Sequence, residues 1–167
     1  MSEQTRVLYL MRHASAESFG ILGDRNRPLT PAGREEAEFV GRQLAASGIE
    51  YVVVSTAART RQTVSSLGLM VEVEPNDRLY GAGSGTILDI ARELDPALTT
   101  ALIVGHAPGI PGLVHALAED DSDTESLALV STHFPTATCC RLEFTGPWTD
   151  LVSARLTRTI RTHLPKG

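Results

Sequence analysis

The sequence predicts an α/β fold of three layers, in which a mostly parallel central sheet carries helices on both faces and has an antiparallel edge strand. Three apolar runs, at residues 6–11, 51–55 and 101–105, are continuous and not alternating, which is typical of strands buried on both faces. Segments with a helical pattern separate these runs along the chain. Strands joined by single helices pair in parallel through crossover connections, so the three runs predict the centre of the sheet.

The segments between the strands carry helix start and stop signals. Thr30 can cap the first helix, Pro31 suits its first turn, and Gly48 is expected to end it. Apolar residues recur at helical spacing between these signals. The other helices are predicted from residue 56 or 57 to about 67, over 86–94, and from 110 to about 119.

Two further strands are predicted over 138–144 and 151–158, and the last one alternates in the manner of an edge strand. The acidic stretch 119–125 between them and the fourth helix predicts a solvated loop. Trp148 follows Gly146-Pro147 and predicts a turn with an aromatic cover. Adjacent residues on a strand point to opposite faces, so no disulfide is expected between Cys139 and Cys140.

Composition and charge favour one globular domain, residues 1–167. The chain is 42% apolar and 21% charged, and its net charge of −5 gives no electrostatic support for binding nucleic acid or an anionic membrane. No stretch approaches the roughly 20 consecutive apolar residues that span a bilayer. Residues 1–6 are polar and lack the apolar core of a signal peptide, so we predict a cytoplasmic protein.

Charged and ionisable side chains stand at the carboxyl ends of the three central strands. Arg12 and His13 end the first apolar run, Arg59 follows the second, and His106 follows the third. Open parallel sheets bind ligands at this edge, so we predict that the four side chains converge on one site. Arg59 also falls in the first turn of its helix, where unpaired backbone donors favour an anion.

The residue types at this site indicate phosphoryl transfer. Two guanidinium groups match the oxygens of a phosphoryl group and stay charged. His13 in its neutral form can attack phosphorus and form a covalent phosphohistidine, which water then hydrolyses. His106, if protonated, adds a donor for the charge that develops during transfer. Fixed cations replace the usual magnesium, so no metal or other cofactor is predicted.

Several nearby residues are secondary candidates. Ser15 and Arg27 are predicted to contact substrate, although a loop position for Ser15 and a surface role for Arg27 remain open. Asp24 and Glu17 are the loop carboxylates that could donate a proton. Arg61 is two residues beyond Arg59, so it points about 200° away along the helix and is expected to face solvent. The remaining histidines are given no catalytic role: His115, His133 and His163, the last in an exposed basic tail.

Four segments, in the same order along the chain, resemble the histidine phosphatase superfamily, whose fold is called phosphoglycerate mutase-like. They correspond to its Arg-His-Gly/Ala signature, the loop that opens its first helix, its Ser-x-x-x-Arg-x-x-Gln-Thr segment and its Gly-His-x-Pro-Gly segment. The matching segments here are Met11-Arg12-His13-Ala14, Arg27–Arg34, Ser55–Thr63 and Val104–Gly109. The resemblance implies that His13 is the nucleophile and that Arg12, Arg59 and His106 complete the phosphate pocket.

Within that superfamily the chain looks most similar to the SixA-type phosphohistidine phosphatases. Ala14, the short length and Arg78-Leu79-Tyr80 carry this narrower resemblance. Mutases and many phosphomonoesterases of the family have a general-acid glutamate shortly after the position of Leu79, but no carboxylate occurs here between Leu79 and Asp89. The chain also has little room for the large cap insertion that those enzymes carry.

The missing acid and cap predict a phosphorylated protein as the partner, with phosphohistidine as its cleaved group. An alkoxide leaving group needs a proton donor worth ~10²–10⁴ in rate, whereas an imidazole leaves more readily. An uncapped pocket can admit a side chain on another protein. Two alternatives stay open: a broad-specificity phosphatase of small phosphoesters, and a catalytically silent module that binds phosphate or phosphoproteins. The sequence makes no prediction of oligomeric state.

Overall fold

Six strands form one mixed sheet in the computed structural model, which describes residues 4–162. In chain order they are β1 (Thr5–Arg12), β2 (Tyr51–Ser55), β3 (Glu72–Asn76), β4 (Thr100–Gly105), β5 (Cys139–Thr145) and β6 (Arg155–Ile160). Within the described residues five α-helices accompany them: α1 (Pro31–Gln43), α2 (Ala58–Leu67), α3 (Ser84–Arg92), α4 (Gly109–Leu117) and α5 (Thr124–Thr132).

The sheet has a parallel part and an antiparallel part. Its strand order is β3-β2-β4-β1-β5-β6, and the first four strands pair in parallel. β5 runs antiparallel to both of its neighbours, and β6 forms the edge. The predicted α/β class with a mostly parallel sheet is confirmed. The strand that runs opposite to the four parallel strands is β5, which lies one position in from the edge. β6 pairs antiparallel with β5 and occupies the edge itself.

The sheet separates two apolar clusters. On β1, Leu8 and Leu10 face one cluster with α3, α4 and α5, while Tyr9 and Met11 face the other with α1 and α2. The central strands are therefore buried on both faces, which explains their unbroken apolar runs. The two free cysteines follow the same rule as predicted, with Cys140 in the first cluster and Cys139 in the second.

Two elements were not predicted from the sequence, β3 and α5, and both lack an apolar pattern. β3 carries glutamates and a proline because it is an edge strand with one neighbour. α5 starts inside the predicted acidic loop, where the Asp123 carboxylate accepts a hydrogen bond from the Ser126 N–H at 2.9 Å and caps the helix. Of its two buried residues, Ser126 is polar and Val130 is apolar. The prediction of a loop over 119–125 is therefore wrong at its carboxyl end.

The segment around Trp148 also differs from the prediction. Residues Trp148–Asp150 form a turn of 3-10 helix, so β6 begins at Arg155 and not at residue 151. Trp148 does not cover a surface turn. Its ring is 1% exposed in the core, and its indole nitrogen donates to the Leu98 carbonyl at 2.8 Å. The hydrogen bond satisfies the polar atom of the indole and allows the whole ring to be buried.

The helices begin and end close to the predicted boundaries. The Thr30 hydroxyl accepts a hydrogen bond from the Gly33 N–H at 2.9 Å, and Pro31 occupies the first turn, as expected. α1 ends at Gln43, and Gly48, with φ of 80°, instead turns the chain before β2. α3 lies two residues earlier than predicted, and α4 ends two residues earlier.

Within residues 4–162 no helix combines the length and the apolar character that a membrane crossing requires. His163, which is predicted to be exposed, lies outside the described residues.

The contact between α1 and α2 predicts an effect of substitution at Gly41. A Cβ built there would lie 2.1 Å from the Leu67 carbonyl oxygen, so the two helices would have to separate. Gly41→Ala is expected to lower the free energy of unfolding by about 1–3 kcal/mol, measured by urea denaturation. Gly85→Ala is the control, because a Cβ at this exposed position of α3 meets nothing within 4 Å. That substitution should raise stability by about 0.4–1 kcal/mol, and equal effects at both positions would contradict the prediction.

Candidate active site

The carboxyl ends of β2, β4 and β1 lie side by side, because these strands are consecutive neighbours in the sheet and run in the same direction. Arg12 ends β1 opposite Gly105 of β4, and His13 and His106 are the next residues of the two strands. The two imidazole rings meet edge to face, with their centroids 5.4 Å apart. The predicted convergence of the two histidines is present in the structure.

The His13 ring is held in one orientation. Its Nδ1 lies 2.7 Å from the Ala14 carbonyl oxygen, and a carbonyl can only accept, so Nδ1 carries the proton. Nε2 then carries a lone pair. The backbone of His13 is fixed as well, since its N–H donates to the Gly105 carbonyl and its own carbonyl accepts from Ala137. In this tautomer Nε2 could act as a nucleophile.

His106 is held by a hydroxyl and an aromatic ring. Its Nε2 lies 2.8 Å from the Ser55 hydroxyl, at the end of β2. The Tyr80 ring stacks on it with centroids 5.8 Å apart and an interplanar angle of 30°. Tyr80 also contacts Arg25, whose guanidinium carbon lies over its ring at 4.2 Å from the centroid. Tyr80 was not predicted as a site residue, although it lies in a segment that carries the family resemblance.

Four nitrogen atoms of this site are buried without a hydrogen-bond partner among the described residues: Arg12 Nε, Arg27 Nε, Arg59 Nε and His106 Nδ1. Within the same residues only two other buried side-chain atoms, Thr138 Oγ1 and Arg161 Nε, share this state. Buried polar atoms are normally satisfied, so unpartnered donors on three positively charged arginines beside a histidine nitrogen indicate an anion site. The predicted positions Arg12, Arg59 and His106 all contribute to it, together with Arg27.

Each arginine also makes contacts that set its position. Arg12 donates from one terminal nitrogen to the Phe134 carbonyl at 2.9 Å. Arg59 donates to the Asp24 carbonyl at 2.9 Å and to the Asp24 carboxylate at 3.1 Å. Arg27 pairs with the same carboxylate at 3.1 Å. Arg61, as predicted, is exposed.

Burial and the arginine charges hold both histidines in the neutral form. Desolvation, then the charges of Arg59 and Arg12, lower the pKa of His13 to about 4, against an opposing hydrogen bond to the Ala14 carbonyl. Desolvation and the Arg59 charge likewise lower the pKa of His106 to about 4. His13 is neutral at pH 7, as a nucleophile requires. The protonation that the sequence analysis set as a condition for a charged His106 donor is disfavoured in this site.

The two loop carboxylates, Asp24 and Glu17, have different surroundings. Asp24 is hydrogen-bonded by Tyr80 and by Arg59, and these contacts lower the pKa of its carboxyl group. It is therefore ionised at pH 7. Glu17 is exposed, and no side-chain contact joins it to the site among the described residues.

Ser15 makes contacts that differ from its predicted role. Its hydroxyl lies 2.7 Å from one Glu36 carboxylate oxygen and 3.0 Å from the Thr136 hydroxyl, and its N–H donates to the other Glu36 oxygen at 2.8 Å. The hydroxyl hydrogen is therefore used within the protein, and contact of Ser15 with substrate stays a prediction. Glu36 was missed, although its place on the buried face of α1, beside Gly33, Ala37 and Val40, is a polar exception that the sequence could have revealed.

Side chains of α2 support the segment that follows His13. The Thr63 hydroxyl accepts from the Ala14 N–H at 3.0 Å and donates to the Arg59 carbonyl at 2.7 Å. The Gln62 side-chain carbonyl accepts from the Leu29 N–H at 2.8 Å. The spacing between Arg59 and Thr63 in this segment has a structural reason, because the residues at both ends of this turn of helix contact the site.

The other described histidines form no side-chain hydrogen bond with a residue of the site. His115 on α4 and His133 are both exposed. Within residues 4–162 no group of three or more histidine, cysteine, aspartate or glutamate side chains is arranged to hold a metal ion.

The pKa shifts predict a pH-dependent stability. The folded-state pKa of His106 is about 4, below the ordinary value of 6.5, so the unfolded chain binds more protons between these pH values. The free energy of unfolding should therefore fall as the pH falls from about 6.5 to about 4. In His106→Gln the loss between pH 7 and pH 4.5 should be smaller than in the wild type by about 1–3 kcal/mol, measured by urea unfolding at each pH.

His115→Gln provides the control for this measurement, because its ring is exposed on α4. It should retain the wild-type pH dependence. A loss in His106→Gln as large as that of the wild type would show that the site does not hold this histidine neutral.

Comparison with known proteins places the chain in a family. A model of the "Histidine phosphatase superfamily (branch 1)" matches residues 8–99, which include Arg12, His13 and Arg59. An uncharacterized protein of Mycobacterium leprae is 34% identical over 164 residues, which cover 93% of this chain and all of that protein. An uncharacterized protein of Mycobacterium tuberculosis is 35% identical over 144 residues, covering 84% of this chain and 91% of that protein.

Solved structures agree with this match. A protein of Nakamurella multipartitia, described as a "putative phosphohistidine phosphatase SixA", superposes with a TM-score of 0.86 at 36% identity over 96% of this chain and 98% of that chain. A protein of Agrobacterium tumefaciens with the same description has a TM-score of 0.78 at 25% identity, over 94% of this chain and 99% of that chain. The fold and the extent of these matches leave one assignment: the chain belongs to the histidine phosphatase superfamily.

Proposed function

We propose that this protein is a phosphatase that removes the phosphoryl group from a phosphohistidine on another protein, through a covalent intermediate on His13. The observation that carries the proposal is the group of buried, unpartnered nitrogens of Arg12, Arg27, Arg59 and His106, whose side chains lie near a His13 ring with a free Nε2 lone pair. The arginines among them are positively charged donors that bind the oxygens of a phosphoryl group. A nucleophile near them is positioned to attack its phosphorus.

In the first step the Nε2 lone pair of His13 forms a bond to phosphorus, and the bond from phosphorus to the substrate nitrogen breaks. Its electron pair returns to the substrate imidazole. The Ala14 carbonyl stabilises the positive charge that His13 gains, because it accepts from the Nδ1 proton. The arginines stabilise the charge that spreads over the phosphoryl oxygens.

In the second step water attacks the phosphorylated His13. The oxygen of water bonds to phosphorus, the phosphorus–nitrogen bond breaks, and Nε2 recovers its lone pair. Both protons of water leave with the product phosphate. No metal ion enters either step, and the arginine side chains supply the positive charge.

The protonation states at the mouth of the site support phosphohistidine over a phosphoester. Asp24 is the carboxylate whose charge acts on His106, and its lowered pKa leaves it without a proton to give. An alkoxide leaving group would therefore lack a general acid. An imidazole leaving group does not need one. A small-molecule phosphomonoesterase remains the second candidate, and it would require a donor other than Asp24.

An apolar segment beside the site supports a protein as the substrate carrier. Phe19, Ile21 and Leu22 are 73%, 90% and 81% exposed, and the segment runs directly into Asp24, which contacts Arg59. With neighbouring residues it lines a hollow of about 720 Å³. Exposed apolar patches of this kind mark contact surfaces for other proteins. Binding of a free metabolite would not need an exposed apolar surface of this kind.

Trapping the covalent intermediate tests the third candidate, a catalytically silent binding module. Incubation with a ³²P-labelled phosphohistidine protein, quenched in alkaline detergent because the phosphorus–nitrogen bond is acid-labile, should trap label on the wild-type chain. His13→Ala should trap none and should lose turnover entirely. Label on His13→Ala, or near-normal turnover by it, would remove the nucleophile assignment.

Two arginines of α2 form a matched pair for the same assay. Arg59 is buried in the site and Arg61 is exposed two residues later. Arg59→Ala should lower kcat/KM by roughly 10²–10³, the usual effect of removing a transition-state donor. Arg61→Ala should stay within about twofold of the wild type.

The apolar segment leads to a separate prediction about the substrate carrier. The double substitution Ile21→Ser, Leu22→Ser should raise KM for a phosphohistidine protein about tenfold, through loss of apolar contact. It should leave kcat/KM for free phosphohistidine nearly as it is in the wild type. Steady-state kinetics on both substrates, with phosphoesters in the same panel, provide the measurement.

Met70→Ser and Val152→Ser are the controls, since these residues are 97% and 69% exposed but lie outside the segment. Neither should change KM for the protein. Phosphoester turnover far above phosphohistidine turnover would instead support the small-molecule phosphatase.

A further inference from the structure

Asp24 has contacts that exceed those of an ordinary loop carboxylate. Arg59 and Tyr80 both donate to its Oδ2, and Arg27 pairs with its Oδ1. These partners come from α2, from the turn before α3 and from the loop of Asp24 itself. Tyr80 is further fixed by contacts with the His106 ring and Arg25. The carboxylate is thus held in one place at the rim of the site.

One acceptor position of this carboxylate remains open to a ligand. Two oxygens offer about four lone-pair sites, and the three contacts above use three of them. The open site is on Oδ1, and the Asp24 side chain is 49% exposed. His13, by contrast, is 7% exposed. A phosphoryl group near Arg59 would therefore have His13 on its buried side and Asp24 on its open side, where a leaving group must stand.

Resting on the function proposed above, we propose that Asp24 is the specificity-determining residue of this site, accepting a hydrogen bond from the distal ring nitrogen of the phosphohistidine that is cleaved. The distal nitrogen is the one not bonded to phosphorus. When it carries a proton, the ring departs as neutral imidazole: the phosphorus–nitrogen bond breaks, its electron pair goes to the leaving nitrogen, and no proton has to reach that atom. An anion at the distal N–H favours this protonated form.

The nucleophile His13 has the same kind of contact, a hydrogen-bond acceptor at its distal ring nitrogen. The distal nitrogen of His13, Nδ1, donates to the Ala14 carbonyl at 2.7 Å, so an acceptor stabilises the phosphorylated ring on the enzyme side. Transfer between two imidazoles is favoured by an equivalent acceptor on the substrate side. Asp24 supplies it there, and as a charged group it favours the imidazolium more strongly than a carbonyl does. A phosphoester has no second ring nitrogen and gains nothing from this residue.

The test compares two substrates, free phosphohistidine and p-nitrophenyl phosphate, whose leaving group needs no proton. In Asp24→Asn the ratio of kcat for phosphohistidine to kcat for p-nitrophenyl phosphate should fall 10–100-fold, the effect of one hydrogen bond to a charged group. The basic limb of the phosphohistidine pH profile should also move to lower pH, because the substrate loses the anion that keeps it protonated. Asp24→Glu should restore part of the ratio.

Asp77→Asn is the matched control. This carboxylate belongs to the same surface network, through Arg25 and Thr56, but its side chain is 74% exposed and does not contact the arginines of the site. Its ratio should equal that of the wild type. If Asp24 only positions Arg59, both rates will fall together and the ratio in Asp24→Asn will not change, which would overturn the proposal.

If Asp24→Asn does not fold, the role of the distal N–H can be tested on the wild-type protein by changing the substrate. N-Phosphoimidazole can donate from its distal nitrogen once protonated, whereas its analogue methylated there cannot. Normalised to the uncatalysed rates, kcat/KM should be at least about tenfold lower for the methylated compound. Equal values would overturn the role of Asp24. Absence of any phosphohistidine cleavage by the wild type, with p-nitrophenyl phosphate cleaved, would instead overturn the proposed function itself.

Discussion

The parallel pairing of β4 with both β1 and β2 is the constraint on which the site depends. Its register sets Arg12 beside Gly105 and brings the two residues that follow, His13 and His106, within 5.4 Å of each other. A slip of one residue would exchange the faces of the strand and turn the histidines apart. The apolar side chains that bury both faces of these strands prevent such a slip. Core packing and site geometry are therefore the same property of this sheet.

The electrostatics of the site follow from that arrangement. Burial, and after it the charges of the surrounding arginines, lowers the pKa of both imidazoles to about 4 and leaves the rings neutral. The same charges attract an anion, and the unpartnered nitrogens of Arg12, Arg27 and Arg59 are the donors that an anion would satisfy. Asp24 offsets part of this charge at the rim. In the proposed function, this one cluster would prepare the nucleophile, bind the phosphoryl group and, through Asp24, distinguish leaving groups.

Prediction from the sequence succeeded where a strong local pattern existed and failed where a contact between distant segments decided the outcome. The apolar runs of β1, β2 and β4 and the cap at Thr30 could be recognised because burial on both faces and helix capping leave clear patterns. β3 and α5 could not be recognised, because an edge strand and a helix that buries one polar and one apolar residue have weak sequence patterns. Tyr80 stacks on His106, which lies 26 positions later in the sequence, and no local sequence pattern predicts this contact.

The sequence by itself determined the fold class, the family resemblance and the set of residues to be gathered at the strand ends, because these depend on residue types at short spacing. Only the tertiary structure decided their chemical states. The tautomer of His13 depends on the position of the Ala14 carbonyl, and the ionisation of Asp24 depends on Tyr80 and Arg59, which reach it from two other elements. Protonation responds to distances of a few ångströms and to burial, and those are properties of the folded chain alone.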